Sequence, residues 1–456
     1  MEWLSVIPPV VAIAVVIWRK EVIIALLLAI FSSEFLQITF SWYASAPAAL
    51  NTIERIVDVF SSPDNTRVLI FSLMIGALLA FMRRSGGVTA MVASLINSGL
   101  VKNGRQASLM TSAVGLVIFV ESNLSVLTAG ILSRGLFDRF GLSRAKLAYI
   151  IDSTSAPVCI LILLNGWGAF VLGLLNNYEF GISSASVLWG TIHFNFYAIV
   201  TLIFVLFTSA TGKLYGPLAR SEAKAHTELA AHQEVAATKA RYMVIPLATM
   251  IFGMVGFMFW TGDGILAAGS GSKSVLYATT LACVVAYVQL IASGGIRHVQ
   301  LVKIAFDGMG ELLPLVAIVL LSLALGASLG ELGTGAYISQ LAGAYLPHFI
   351  IPAMLFVAGA LISFSTGTSW GTFAILVPIG MPLAIGLELH PSLLLAAILG
   401  GGVFGDHCSP ISDTTAVSAI ASGCDLLEHV RTQLPYAIVA GLAALVLYLV
   451  AGILIL

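Results

Sequence analysis

The segment GGVFGDHCSPISDTTAVSAI, residues 401–420, places two aspartates, a histidine, a cysteine and several hydroxyl side chains inside an apolar region. Such a set admits a metal site, a catalytic pair of carboxylates, a plain loop or a break in a membrane helix. Zinc is disfavoured, because Asp406, His407 and Cys408 are consecutive and cannot easily converge on one ion; zinc sites space their ligands as CxxC or HxxxH. Intramembrane aspartyl proteolysis needs two membrane aspartates, but Asp406 follows Val403-Phe404-Gly405 and not the Gly-x-Gly of such enzymes. A broken helix accounts for more. Residues 396–405 can form a half-helix whose C-terminal carbonyls favour a cation, and Pro410 stops it. Ser412 or Asp413 can cap a second half-helix over 414–422, whose N-terminus favours an anionic group. Asp406 and Asp413 then flank the break. A carboxylate within the membrane is costly and is a functional hypothesis by default. His407 either titrates with these carboxylates or hydrogen-bonds a neighbour. Ser409 is a further candidate for binding an ion or solute; Ser412, Thr414 and Thr415 either do so or satisfy the broken backbone, and Cys408 reads as a small buried residue.

Other polar islands share this character. Glu121, Ser122 and Asn123 close the apolar run 107–120, and Asp152, Ser153, Thr154 and Ser155 precede Pro157. Ser365, Thr366, Gly367, Thr368 and Ser369 carry no charge, yet their side-chain and backbone oxygens suit sodium, a hard cation. Asp152, Thr366, Asp406 and Asp413 are the expected sodium ligands. Asn165, Trp167 and Trp370 either line a substrate space or pack at helix contacts.

The elements that hold these islands follow from composition. Of 456 residues, 59% are hydrophobic and only 9% charged, against about 25% charged in soluble domains. Stretches such as 187–209, 243–260, 312–329 and 434–456 approach the roughly 20 apolar residues that span a bilayer. The expected fold is an all-α polytopic membrane protein of about 11–13 membrane segments; a β-barrel would show short alternating strands instead. A net charge of −1 advertises no nucleic-acid partner, and four dispersed cysteines give no disulfide framework. Residues 1–18 have no basic residue before their apolar run and read as a retained first helix.

Arginine and lysine favour the cytoplasmic side of short loops. Arg19, the pair Arg83 and Arg84, and the cluster Arg134, Arg139, Arg144 and Lys146 then lie inside, with the N-terminus outside. The polar stretch 211–241 is also cytoplasmic, either a helical linker or a disordered loop.

Three motifs recur in order. SLMIGA at 72–77 matches SLALGA at 322–327, FVESN at 119–123 matches FSTGT at 364–368, and DSTSAP at 152–157 echoes DHCSP at 406–410. The charges flanking the two copies differ in sense, so the halves should be inverted repeats, the sequence mark of secondary transporters. The expected division is an N-terminal region over 1–66, a first repeat over 67–210, a linker with connecting helices over 211–310, and a second repeat over 311–456. The two sets of interruptions should meet between the halves.

At GDHCSPISDTT (405–415), FSTGTSWGTF (364–373) and IDSTSAPVCILILLNGWGAF (151–170) the chain resembles the NhaC family of bacterial sodium/proton antiporters, within the ion-transporter superfamily. The family pattern G-D-x-x-S-P-x-S-D-T-T is met throughout, with His407 and Cys408 where other members often carry Lys and Met. The resemblance implies an inner-membrane secondary antiporter, not an enzyme, exchanging sodium for protons without a cofactor. It also implies re-entrant hairpins, here at 86–100 and 336–346, and a homodimer working by an elevator-like motion. Some relatives of this kind move organic anions or amino acids, so a sodium- or proton-coupled carrier of an amino acid or carboxylate is the alternative.

Overall fold

The computed structural model of the protein describes residues 2–19, 21–38, 45–87, 90, 101–119, 122–224, 238–264, 269–410 and 412–456. Among them the chain is almost wholly α-helical, with no strand. A helix satisfies its backbone internally, which lipid demands. Four helices open the chain: α1 (Ile7–Arg19), α2 (Val22–Gln37), α3 (Ser45–Asp58) and α4 (Pro63–Arg84). Then come α5 (Gly104–Val117), α6 (Ser122–Arg139), α7 (Arg144–Ser153), α8 (Ala156–Cys159), α9 (Gly166–Leu175), α10 (Ser184–Gly190) and α11 (Phe196–Thr211). A short α12 (Gly216–Lys224) precedes α13 (Arg241–Thr261) and α14 (Gly271–Ala292). The remainder is α15 (His298–Glu331), α16 (Thr334–Tyr345), α17 (Ile351–Thr366), α18 (Ser369–Gly386), α19 (Pro391–Cys408), α20 (Asp413–Ser422) and α21 (Leu426–Ile455).

Among the described residues, 8 helices are long and apolar enough to cross a membrane. They become 9 if the two parts of α15, bent by 41° where Pro314 interrupts the helix, count as one span. Shorter apolar helices lie beside them at Trp3–Val15, Val22–Gln37 and Gly166–Leu175. The chain is a multi-pass membrane protein.

One order of elements occurs twice. A helix ends and a second begins within a few residues at α5/α6 and again at α17/α18. In each case the next helix, α7 or α19, stops one or two residues after an aspartate. The sequence explains the second set of stops. Gly367 takes φ +69°, a left-handed conformation that ends α17, and the Thr368 hydroxyl caps α18 by accepting from Gly371 N at 3.4 Å. After α19, residues 409, 410 and 412 are non-helical and Ser412 caps the start of α20.

Some expectations shift. The apolar run 187–209 is not one helix: α10 ends at Gly190 and α11 starts at Phe196. Gly190 sits against Ser392 so closely that a Cβ there would lie 2.4 Å from its Oγ. In the linker, α12 is helical, and 225–237 lie outside the described residues. So do 88, 89 and 91–100 of the first expected hairpin. The second hairpin falls on α16, which at about 18 Å is too short to span and packs on α18.

Helix α19 runs through the interior and is buried along almost its whole length. Its glycines make that burial close. A Cβ on Gly401 would lie 2.3 Å from the Phe356 carbonyl oxygen, and one on Gly405 would lie 2.2 Å from that of Ala360. Positions four apart share a helix face, so α17 lies backbone-to-backbone on α19, the small-residue packing typical of membrane helices.

Candidate functional site

Asp152 and Asp406 hold equivalent places, each in the last turn of a helix about to break. A carboxylate at a C-terminus faces the negative end of the helix dipole, so it must find donors elsewhere. Each is fully buried.

Asp406 finds its donors within the C-terminal part of the chain, 37 and 8 positions away. Its Oδ2 accepts from Ser369 Oγ at 2.9 Å, at the start of α18, and from Thr414 Oγ1 at 3.3 Å, in the first turn of α20. The positive end of α20 therefore faces the carboxylate and offsets the unfavourable end of α19. Ser412 caps α20 by accepting from Thr415 N at 3.3 Å and lies 3.0 Å from Thr414 Oγ1. Ser409 donates to the Phe364 carbonyl at 2.8 Å, tying the break after α19 to the end of α17. Replacing Ser412 by alanine should cost about 1 kcal/mol, the usual value of an N-cap. A melting curve in detergent should show a small loss of Tm with transport partly kept, because Thr414 still reaches Asp406.

Asp152 finds its donors far away. Oδ1 accepts from Ser418 Oγ of α20 at 3.1 Å, and Oδ2 accepts from Gln433 Nε2 of α21 at 2.5 Å. His429 Nε2, one turn earlier on α21, lies 3.3 Å from Oδ2. Gln433 also donates to the His407 carbonyl at 3.2 Å, so one amide bridges the Asp152 side chain and the end of α19. His407 turns its ring to α11, with Nδ1 3.0 Å from the Tyr197 hydroxyl. The breaks of α7 and α19 thus meet through α21.

Two arginines secure the other end of α20. Arg134 of α6 donates to the carbonyls of Ile420 and Ala421, and Arg144 of α7 to that of Ser422 at 2.9 Å. Cationic side chains at a helix C-terminus oppose its dipole, and here they come from the early helices. Close approach helps: a Cβ on Gly130 would meet Ala421 at 2.7 Å, and one on Gly115 would meet Thr154 Oγ1 at 2.2 Å.

The expected site residues divide by these contacts. Asp152, Asp406, Ser369, Thr414 and His407 are gathered as described, and Ser153 lines a small cavity beside His407. Thr154 and Ser155 spend their hydroxyls on the broken backbone, donating to Ile150 O at 2.8 Å and Asp152 O at 2.9 Å. Ser365 and Thr366 likewise turn back to Leu361 O and Ile362 O of their own helix, while Gly367 and Thr368 serve as helix stop and cap. Ser122 and Asn123 open α6. Glu121 lies outside the described residues, as does the side chain of Asp413, whose backbone starts α20. Asn165 is a structural clasp: its Nδ2 lies 2.8–2.9 Å from the carbonyls of Phe119, Cys159 and Ile162. Trp167 and Trp370 pack together, ring centroids 5.0 Å apart.

Sequence reasoning missed Ser418, His429, Gln433 and Tyr197. One signal was present: His429 and Gln433 are four apart just before the apolar run 434–456, and so share a face of one helix.

Comparison with known proteins agrees with this architecture. Over 98% of its length the chain is 31% identical to an uncharacterized protein of Haemophilus influenzae, covering 90% of that protein. It is 35% identical to the malate-2H(+)/Na(+)-lactate antiporter of Bacillus subtilis over 138 residues, 29% of each chain. Its fold is similar to that of the YdaH transporter of Alcanivorax borkumensis, with TM-score 0.63, 14% identity and 88% of each chain covered. A sequence model described as the Na+/H+ antiporter family matches residues 158–453, which takes in the break of α19, the cap of α20 and the bridging Gln433. With well over half its length matched, the chain belongs to the Na+/H+ antiporter family and is a secondary antiporter.

Proposed function

We propose that the protein exchanges sodium for protons across the bacterial inner membrane, with Asp152 and Asp406 as the carboxylates for which the two cations compete. The observation that carries this reading is the pair itself. Two fully buried carboxylates end two broken helices, and Gln433 joins one to the residue beside the other. Around Asp406 the neighbouring side-chain groups are hydroxyl oxygens, a donor set that suits a hard cation. Protonation of a carboxylate removes the charge that holds sodium, so occupancy by one cation excludes the other. In this reading 67–210 and 311–456 are the inverted repeats, the stretch 211–241 faces the cytoplasm, and the protein works as a homodimer. Glu121 and Asp413 are further candidate carboxylates.

The test uses full-length protein in proteoliposomes with an imposed pH gradient. Sodium should dissipate the gradient with no organic solute present, and the rate should fall as the pH drops and protons occupy the carboxylates. If sodium leaves the gradient intact, the ion-exchange reading fails. A second reading, sodium- or proton-coupled exchange of a small carboxylate or amino acid, is favoured by the similarity to an antiporter of malate and lactate. It requires that one such solute both stabilise the protein thermally and restore gradient dissipation.

A further inference from the structure

Beside the bridging amide is a chamber that none of the exchange chemistry above uses. It lies among α7, α11, α19 and α21 and is lined by Ser153, Tyr197, Thr201, His407 and Gln433. Its volume is about 10 Å³, at the lower limit for one water molecule. Two buried polar atoms of its lining residues, His407 Nε2 and Gln433 Oε1, find no hydrogen-bond partner of ordinary geometry among the described residues. A buried amide oxygen without a partner costs about 1–3 kcal/mol.

A second cavity, about 310 Å³, lies between α11 and α21 and is lined by Phe204, Phe207, Pro435, Tyr436 and Val439, with Tyr215 at its rim. Phe204 and Tyr436 line both cavities and form the wall between them. The helices present matching faces. Tyr197, Thr201, Phe204 and Thr208 repeat at helical spacing on α11, and His429, Gln433 and Tyr436 do so on α21. Tyr436 is held in place. Its hydroxyl accepts from Tyr215 N at 2.7 Å and donates to Tyr215 O at 3.3 Å, and its ring lies 4.7 Å from that of Tyr149. Tyr215, Phe207 and Val439 are all exposed, so the outer cavity opens along the outer faces of α11 and α21 as well as at the end of α11 that leads into the linker.

We propose that the cleft between α11 and α21 is the route by which solvent and cargo reach the Asp152–Gln433 site from the linker side, and that Tyr436, with Phe204, is its closed gate. An apolar constriction excludes a hydrated ion by dewetting, so the closed gate seals the buried carboxylates until α11 and α21 part. Release of the hydroxyl from the Tyr215 backbone is the step that frees the ring. The proposal rests on the antiporter reading of the same site, because a sealed carboxylate needs a controlled opening only if something crosses there.

The test is thiol labelling of Thr201→Cys in the full-length protein, with N-ethylmaleimide as the probe and peptide mass spectrometry as the readout. The native Cys283, buried on α14 away from the cleft, reports general loosening. The introduced thiol at position 201 should react slowly when Tyr436 is intact. Adding Tyr436→Ala should speed its labelling about tenfold, as if about 1.4 kcal/mol were removed from the cost of opening, with Cys283 unchanged. Tyr436→Phe keeps the ring but loses both bonds to Tyr215, and should give a smaller rise; it serves also if the alanine variant folds poorly. An unchanged rate at position 201 in both variants overturns the gate, and so does an equal rise at Cys283. Labelling needs no ion gradient. An absence of sodium-driven proton flux would therefore sink the exchange reading while leaving this result to stand or fall separately.

Discussion

Replacing Asp152 by asparagine is expected to lower sodium-driven proton flux at least about 100-fold, equivalent to about 2.7 kcal/mol, while the protein still folds with a reduced Tm. The geometry separates the two effects. An amide at position 152 can still accept from Ser418, but its nitrogen then points at Gln433 Nε2, donor against donor. Rotating the Gln433 amide relieves that contact and creates another, because its oxygen would then face the His407 carbonyl. Either way a buried bond is lost, at about 1–3 kcal/mol. Asp406→Asn makes the informative contrast. Ser369 and Thr414 both donate to the same oxygen, Oδ2, so a neutral amide oxygen can keep the two hydroxyls satisfied. Its flux should fall as far, but its Tm should hold or rise, since an intramembrane charge has gone. Flux from reconstituted vesicles and Tm in detergent are measured on the same preparations. An Asp152→Asn protein that exchanges at the wild-type rate would make this residue an anchor for α21 and nothing more.

The second large effect is on folding. Gly401→Val and Gly405→Val should each abolish recovery of monodisperse protein, because the new side chain meets backbone and not a movable side-chain end. The nearest atoms are the Phe356 and Ala360 carbonyl oxygens, at 2.3 and 2.2 Å from an ideal Cβ. Alanine at either site carries only that Cβ and should cost about 1–3 kcal/mol by overpacking. At 405 it should also displace the adjacent Asp406 and depress flux. Gly330→Ala is the control: a Cβ there meets nothing within 4 Å, and alanine exceeds glycine in helix propensity by up to about 1 kcal/mol. Size-exclusion profiles and melting curves should set position 330 clearly above 401 and 405. Equal tolerance at 330 and 401 would refute the close helix contact.

Much of the site was legible because breaks in helices are local chemistry. Gly367 and Thr368 stop one helix and start the next through their own backbone and hydroxyl. Pro410 and Ser412 do the same after α19. One boundary moved: α19 continues to Cys408, so Asp406 and His407 sit in its last helical turn, and the unwound part begins at Ser409. The role of the hydroxyls was less legible. Ser365 and Ser369 look equivalent in sequence, yet one bonds its own helix and the other the Asp406 carboxylate. They lie on opposite sides of the break at Gly367, Ser365 in the last turn of α17 and Ser369 at the start of α18, and that decides which.

His429 and Gln433 show the limit. The apolar run of α21 reads as starting at 434, but Asp425 caps the helix by accepting from Glu428 N at 3.0 Å, and α21 begins at Leu426. One face of its polar first turns, His429, Thr432 and Gln433, is buried inside the protein, while Leu427, Glu428 and Arg431 on the other are exposed. By itself, then, the sequence determined a multi-pass helical membrane protein, the helix breaks near Pro157, Gly367 and Pro410, and the two aspartates beside them. All three follow from hydropathy, turn residues and caps acting within a few positions. Only the tertiary structure decided that Gln433, 281 positions from Asp152, donates to that carboxylate, and that Tyr436 lines both cavities of the cleft beside it. Contacts of that kind come from packing between distant helices, and on α21 close approach helps to fix it, as at Gly441, where a Cβ would lie 2.5 Å from the Phe404 ring of α19.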